Sequence, residues 1–336
     1  MWRLWNDHVV LTSMLVTWAT FGNITYCCVS VTSVKFSQYA VAQLYSLCEA
    51  KIIARMRKLR HYIRNSAIPS SNVIQLAPTQ RYEVYYNMNH SKRGLALIFN
   101  HEFFTVSHLK PRCGTNVDCE NLKATLKDLG FEVNDYHNLT QKDIVKQLER
   151  VAEMDHSEHD CLVIAVLSHG ELGLLYAHDG AYKADSLWHY FTADKCQSLA
   201  GKPKLFFIQA CQGDKLDPGI TLKERTETDG YPSSIFRIPT QADFLIAYST
   251  IPGYYSWRNT SRGSWFMQAL CVELRDNGTR YDLLTMLTFV CQRVAVDFES
   301  NTPDNMTMHQ QKQIPCITTM LTRLVKFTPP KNGRVV

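Results

Sequence analysis

Cys161-Leu-Val-Ile-Ala-Val-Leu167, running into Ser168-His169-Gly170, and Lys204-Leu-Phe-Phe-Ile-Gln-Ala-Cys211 decide the fold of this chain. Neither run alternates apolar with polar residues. Arg93-Gly-Leu-Ala-Leu-Ile-Phe-Asn100 and Phe244-Leu-Ile-Ala-Tyr-Ser249 have the same character, and Phe131-Glu-Val133 starts a shorter strand. Helical patterns separate them. Val117, Leu122, Leu126 and Leu129 mark a helix over 116–129 stopped by Gly130. Thr140-Gln-Lys-Asp143 resembles a capping box, followed by Ile144, Leu148 and Val151. Further helices are predicted at about 263–276 and 281–298, and a closing strand near 316–327. Continuous apolar strands alternating with helices predict an α/β fold, with a mainly parallel sheet covered by helices on both faces. In such sheets ligands bind beyond the carboxyl ends of the strands.

That rule draws attention to His169 and Cys211, each at the end of a strand. Neighbouring strands lie about 4.8 Å apart, so the two side chains can meet and act as a nucleophile and proton-transfer pair. Gly170 and Gly213 follow closely and leave room for a substrate backbone. Taken singly, a strand-end His or Cys is more often structural filling. Both at adjacent tips is a stronger signal.

The chain has 336 residues, 45% hydrophobic and 20% charged, with a formal charge of +5. This is an ordinary globular composition and excludes collagen-like, wholly disordered and small disulfide-rich classes. The 11 cysteines form no Cys-x-x-Cys pair, which removes zinc ribbons and thioredoxin-type redox motifs. Several, among them Cys161, Cys271 and Cys316, sit in apolar runs, as reduced buried thiols do. Charge is uneven. Residues 1–93 carry 11 Lys or Arg against 3 acids, leaving 25 against 28 for the rest: a basic head, +8, and a nearly neutral body, −3.

The head, residues 1–80, has several open readings. Val9 to Val34 has no charged side chain and is long enough to cross a bilayer, but Ser, Thr and Asn dilute it. A secretory leader fits imperfectly, because Trp2 to His8 carries one base and one acid. Lys51 to Arg64 has apolar Ile52, Met56, Leu59 and Ile63 on one helical face with bases around it, a pattern suited to anionic lipid or to an acidic partner. A solvated leader without a role and a mistaken first exon are further readings. Residues 65–80 form a linker.

The letters around His169 and Cys211 carry a resemblance. Gln209-Ala-Cys-Gln-Gly213 matches a known signature of the caspase family, whose His stands about 50 residues upstream; here it stands 42 upstream. Ser168-His169-Gly170, Tyr255-Ser-Trp-Arg-Asn259, Gly263-Ser-Trp265, Asp297-Phe-Glu-Ser300 and Gln313-Ile-Pro-Cys316 also resemble caspase landmarks, in caspase order. The likeness covers roughly residues 87–328. It is strongest to effector (executioner) caspases, especially those of insects.

The resemblance implies a caspase-like three-layer sandwich around a six-stranded sheet, and a cysteine endopeptidase that cuts proteins after Asp during apoptosis. It implies Cys211 as nucleophile, His169 as proton donor and acceptor, and backbone N–H groups of Gly170 and Cys211 as an oxyanion hole. A backbone carbonyl near Lys110 would orient the His, since no third acid is evident. Arg112, Gln209 and Arg258 would bind the Asp carboxylate, a geometry guanidinium groups suit. Tyr255 and Trp257 would line the next subsite, Asn259 and Trp265 would help recognise an acidic residue further out, and Ser256 would touch the substrate backbone. Asn301 stands where effector relatives often carry an aromatic.

The polar loop Gly213–Asp243 contains Thr226-Glu-Thr-Asp229 before Gly230, itself a caspase-like substrate. Cutting there would divide the catalytic domain 81–336 into a large subunit, 81–229, and a small one, 230–336, after a leader or prodomain, 1–80. No Asp lies between Asp7 and Asp118, so no Asp cut that would release the head is visible. The implied partners are protein substrates, an upstream initiator caspase, a second copy in a homodimer and, as candidates, inhibitor-of-apoptosis proteins, although Gly230-Tyr-Pro-Ser is only a near match to their ligands. No nucleic acid, metal or cofactor is expected, and the location is cytoplasmic, where a catalytic thiol stays reduced. Two rivals are a non-catalytic interaction homologue, opposed by the intact site residues, and a basic membrane or nucleic-acid binder resting on the head alone.

Overall fold

The computed structural model describes residues 78–219 and 240–329, together with four strands near the amino terminus. The chain divides into two compact units, Met1–Gln75 and Leu76–Val336.

In the first unit β1 (Val9–Thr12) pairs antiparallel with β4 (Ser33–Phe36), and β2 (Leu15–Phe21) with β3 (Ile24–Ser30). Paired strands thus occupy much of the uncharged run. No helix among the described residues is long and apolar enough to cross a membrane. The basic segment Lys51–Arg64 lies outside the described residues.

The second unit is built on β5 (Leu95–Asn100), β6 (Glu132–His137), β7 (Leu162–Leu167), β11 (Lys204–Gln209), β12 (Phe244–Tyr248) and β15 (Cys316–Thr319). The sheet order is β6-β5-β7-β11-β12-β15, parallel throughout except for the antiparallel edge strand β15. All six residues of β5, β7 and β11 are buried, because both faces are covered. Alternate residues divide between the faces. Ala96, Ile98, Val163, Ala165, Leu205 and Phe207 pack beneath α1 (Thr115–Asp128), α3 (Trp265–Asn277) and α4 (Leu283–Asp297). Leu97, Phe99, Ile164, Val166, Phe206 and Ile208 pack on the other side against α2 (Gln141–Ala152) and short helical turns carrying Leu187, Phe191 and Leu199. Each Val, Leu, Ile or Phe among them contributes about 1.5–3 kcal/mol on burial. The expected three-layer α/β sandwich is therefore present.

The helix signals act as read. Thr140 caps α2 by accepting the Asp143 N–H at 3.2 Å. Gly130, at φ 88°, closes α1: its N–H reaches Lys127 O, and the Phe131 N–H reaches Leu126 O. One expectation is corrected. The closing strand does not run from 316 to 327. Its partner β12 starts at Phe244, so pairing ends near Thr319, and the chain then bonds Leu324 to Val84 and Tyr86 instead.

Candidate active site

Strands β7 and β11 are paired in parallel with Leu167 opposite Gln209. His169 and Cys211 are each two residues further on, so both leave the sheet at one level. The chain after His169 folds into a small antiparallel sheet: β8 (Gly170–Glu171), β9 (Leu174–Ala177) and β10 (Gly180–Lys183). Gly170 has no room for a side chain. A Cβ there would lie 2.8 Å from Cys211 O and 2.9 Å from Leu174 O. Gly213, at φ 149°, is similarly pressed against the Gly253 backbone.

His169 Nε2 lies 2.8 Å from the carbonyl oxygen of Lys110. A carbonyl only accepts, so Nε2 carries the hydrogen and Nδ1 is left as the free base. Burial holds the imidazole pKa down to about 4, with Arg112, Arg258 and His108 adding to the effect and the Lys110 bond opposing it. The ring packs on Phe104 at 4.9 Å between centroids. Cys211 Sγ accepts the Ser256 N–H at 3.4 Å. Burial raises the thiol pKa, while the Ser256 bond, Arg112 and Arg258 pull it back. The resting pair is therefore a neutral thiol and a neutral imidazole. The Ser256 bond and the two arginines are the groups that favour the thiolate.

Arg112 precedes α1 and is buried to 1% exposure. Its Nη1 donates to His101 O (3.0 Å) and Thr115 Oγ1 (2.7 Å), while Nη2 has no partner among the described residues. Burial and the neighbouring Arg258 push its pKa down to about 9, still protonated at neutral pH. Gln209, the last residue of β11, donates from Nε2 to Ser256 Oγ at 2.9 Å, and its buried Oε1 is unpartnered. Ser256 Oγ donates on to Ser249 Oγ, which is bonded to Ala210 O. Arg258 begins β13 (Arg258–Asn259), which pairs with β14 (Gly263–Ser264), and its Nε donates to Cys113 O at 2.9 Å. Two guanidiniums, one with an unpartnered Nη2, thus act electrostatically on the thiol, and a buried amide stands two residues before it.

An aromatic row continues from this pocket. Tyr255 meets Trp257 edge-on at 5.2 Å, Trp257 stacks on Trp265 at 5.6 Å, and Trp265 stacks on Phe298 at 5.5 Å. Asn259 uses its Oδ1 to hold the turn, accepting from Ser261 N and Arg262 N. Asn301 is exposed in a loop. Asp229 and Gly230 lie outside the described residues.

Sequence reasoning gave no role to two residues here. Gln313 accepts the Trp257 N–H at 2.6 Å and donates to Ser249 O, tying the substrate loop to the strand end. Asp118, on α1, accepts both Ser264 N and Ser264 Oγ at 2.8 Å. The Gln-Ile-Pro-Cys landmark pointed at the first; no local pattern marks the second. Among the described residues Cys119, Asp135 and His137 form one grouping of metal-ligand types. Lys123 already pairs with the Asp135 carboxylate at 3.0 Å, and burial pushes the Cys119 thiol up to about 12, so the grouping does not fit a metal centre.

A thiol and an imidazole at adjacent strand tips of an α/β sandwich, beside paired arginines, define the class of cysteine endopeptidases. Residues 93–326 match the Caspase domain family. Caspase-1 of Spodoptera frugiperda is 65% identical over 263 residues, spanning 78% of this chain and 87% of that protein. Caspase drICE of Drosophila melanogaster is 61% identical over 268 residues, 80% and 79% of the two chains. The crystal structure of caspase-1 from Spodoptera frugiperda superposes with a TM-score of 0.71 at 63% identity, covering 76% of this chain and 98% of that one. The chain belongs to the caspase family. It is a cysteine endopeptidase of the effector group, cutting proteins after aspartate.

Proposed function

We propose that Cys211 and His169 carry the cleavage and that Arg112, Gln209 and Arg258 select the aspartate. The observation that supports this most is the pairing of Leu167 with Gln209, which brings the two strand tips together beside the unpartnered Arg112 Nη2. The Cys211 proton passes to His169 Nδ1 as Sγ attacks the scissile carbonyl carbon. The resulting oxyanion is held by the Gly170 and Cys211 N–H groups, donors of a kind worth about 3–4 kcal/mol in the transition state. The C–N bond breaks, and His169 returns its proton to the departing amine. Water, giving a proton to His169, then splits the thioester and restores the thiol. Lys110 O keeps the imidazole oriented throughout.

The substrate Asp carboxylate accepts from Arg112 Nη2 and from Arg258. Turning the Gln209 amide over puts Nε2 in the pocket as a third donor and gives Oε1 the Ser256 hydroxyl. Tyr255 and Trp257 line the neighbouring subsite, Ser256 meets the substrate backbone, and Asn259 and Trp265 serve an acidic residue further out.

The enzyme is made as a zymogen, cut between Asp229 and Gly230 into the 81–229 and 230–336 subunits behind a 1–80 leader. β11 and β12 are adjacent in the sheet, with Lys204 beside Phe244, so a break in the loop between them leaves both strands in place. β15 pairs only with β12 among the described strands, and its open edge suits a second copy in a homodimer. Buried free thiols at Cys119, Cys161, Cys196 and Cys271 favour the reducing cytoplasm. An upstream initiator caspase makes the activating cut, effector action drives apoptosis, and inhibitor-of-apoptosis proteins are candidate partners.

An enzyme with this specificity cuts its own chain. On incubation the purified full chain should develop a new amino terminus at Gly230, and Asp229→Ala should stay whole at that bond. A wild-type chain that never yields this terminus, even with an active initiator caspase added, contradicts the processing scheme.

A further inference from the structure

We propose that Asp118 is the positioning residue of the aspartate pocket: by gripping both donors of Ser264 it seats the β13–β14 hairpin on α1 and holds Arg258 beside Arg112. The inference rests on the assignment of Arg258 to substrate binding.

Asp118 lies one turn into α1 and is buried to 2% exposure. Its two oxygens each take one donor of a single residue: Oδ1 the Ser264 N–H and Oδ2 the Ser264 hydroxyl, both at 2.8 Å. Ser264 is the cross-strand partner of Arg258, and Gly263 that of Asn259. The carboxylate therefore holds the residue directly opposite the specificity arginine. The hairpin has only two residues per strand, too short to fix itself.

Two close approaches show that the fit is built on both sides. Gly263 is at φ 88°, and a Cβ there would fall 2.2 Å from Asp118 Oδ1. Gly114, the residue before α1, is at φ 88°, and a Cβ there would fall 2.7 Å from the carbonyl oxygens of Asn259 and Thr260. Arg258 is tied to the same seat through Cys113 O, one residue before Gly114. The helix start, the hairpin and the arginine thus form one rigid unit.

The charges around the carboxylate agree with this role. Arg112 comes from the loop before α1, Arg258 from the hairpin, Cys271 from α3 and Cys119 from α1 itself. Burial raises the Asp118 pKa to about 6, opposed by the Ser264 bonds and by both arginines, so the group is mostly ionised at neutral pH. Asparagine keeps the shape and one acceptor, and its NH2 can donate to the Ser264 hydroxyl, so it preserves the grip without the charge.

The test is steady-state kinetics on an acidic Asp peptide at pH 7.5, with each variant's active sites counted by titration. Asp118→Ala should raise KM about tenfold or more while kcat per active site changes little, since a charged hydrogen-bond pair is lost. Asp118→Asn should return KM to within about threefold of wild type. If Asp118→Ala does not fold, Ser264→Ala removes the hydroxyl half of the grip and should raise KM about threefold to tenfold. An unchanged KM in Asp118→Ala, or in Ser264→Ala where that variant stands in, overturns the proposal; so does Asp118→Asn as impaired in KM as the alanine variant. Arg258→Ala is run alongside. If it too leaves KM and turnover normal, the assignment of the pocket fails; if it alone is impaired, only the role of Asp118 fails.

Discussion

Replacing Cys211 by alanine should abolish peptide hydrolysis and leave the fold intact. The thiol supplies the bond-forming electron pair, while the neighbouring Ser249 and Ser256 hydroxyls already donate to Ala210 O and to Ser249 Oγ. Loss of the nucleophile in a unit of this kind costs on the order of 10⁴–10⁶ in turnover. The structural cost is small. Cys211 is only partly exposed, and Sγ accepts the Ser256 N–H at 3.4 Å, a weak bond because sulfur is a weak acceptor. Losing such a contact amounts to about 1 kcal/mol. The variant should melt near the wild-type temperature and still bind an acidic Asp peptide. Turnover above about 1% of wild type would remove Cys211 from the mechanism.

Arg112→Ala and Arg258→Ala should each lower kcat/KM on an Asp peptide by about 10²-fold or more, since truncating one member of a desolvated charge pair costs about 2–5 kcal/mol. The two should differ in stability. Arg112 is fully buried and supplies a donor to His101 O and Thr115 Oγ1. Removing it leaves both acceptors unpaired, at about 1–3 kcal/mol. Arg258 is half-buried and its Nε serves only Cys113 O, so its alanine variant should unfold much like wild type. Lysine should not rescue Arg112, because an ammonium lacks the planar fork that serves two internal acceptors and a substrate carboxylate together. Normal cleavage by either alanine variant means that the pocket lies elsewhere.

The layers of the catalytic unit were legible because their strands are buried on both faces, and two-sided burial leaves a continuous apolar run that no loop imitates. The strand tips His169 and Cys211 followed from that reading and from the parallel-sheet rule. Arg112 was less legible. Locally it resembles a solvated loop arginine, yet the folded chain buries it against His101 O and Thr115 Oγ1. Asp118 was not legible at all, because its partner Ser264 is 146 residues away and no periodicity links them. The end of the last strand is not legible, because Leu321, Val325 and Phe327 keep an apolar character after its pairing with β12 has ended. In the head much of the uncharged run forms paired strands. Its β-branched and aromatic residues, and Gly22-Asn23 between β2 and β3, carry the hairpin signal.

The residue before the cut tests the aspartate pocket most directly. Peptides identical except for the residue before the cut, with Asp, Asn or Lys there, are assayed with the processed enzyme. The unpaired Arg112 Nη2 and the adjoining Arg258 predict that Asp is cleaved about 10⁴-fold faster in kcat/KM than Asn, and faster still than Lys, because an uncharged or cationic residue leaves the buried donors unpaired. Comparable cleavage of the Asn or the Lys peptide would contradict it.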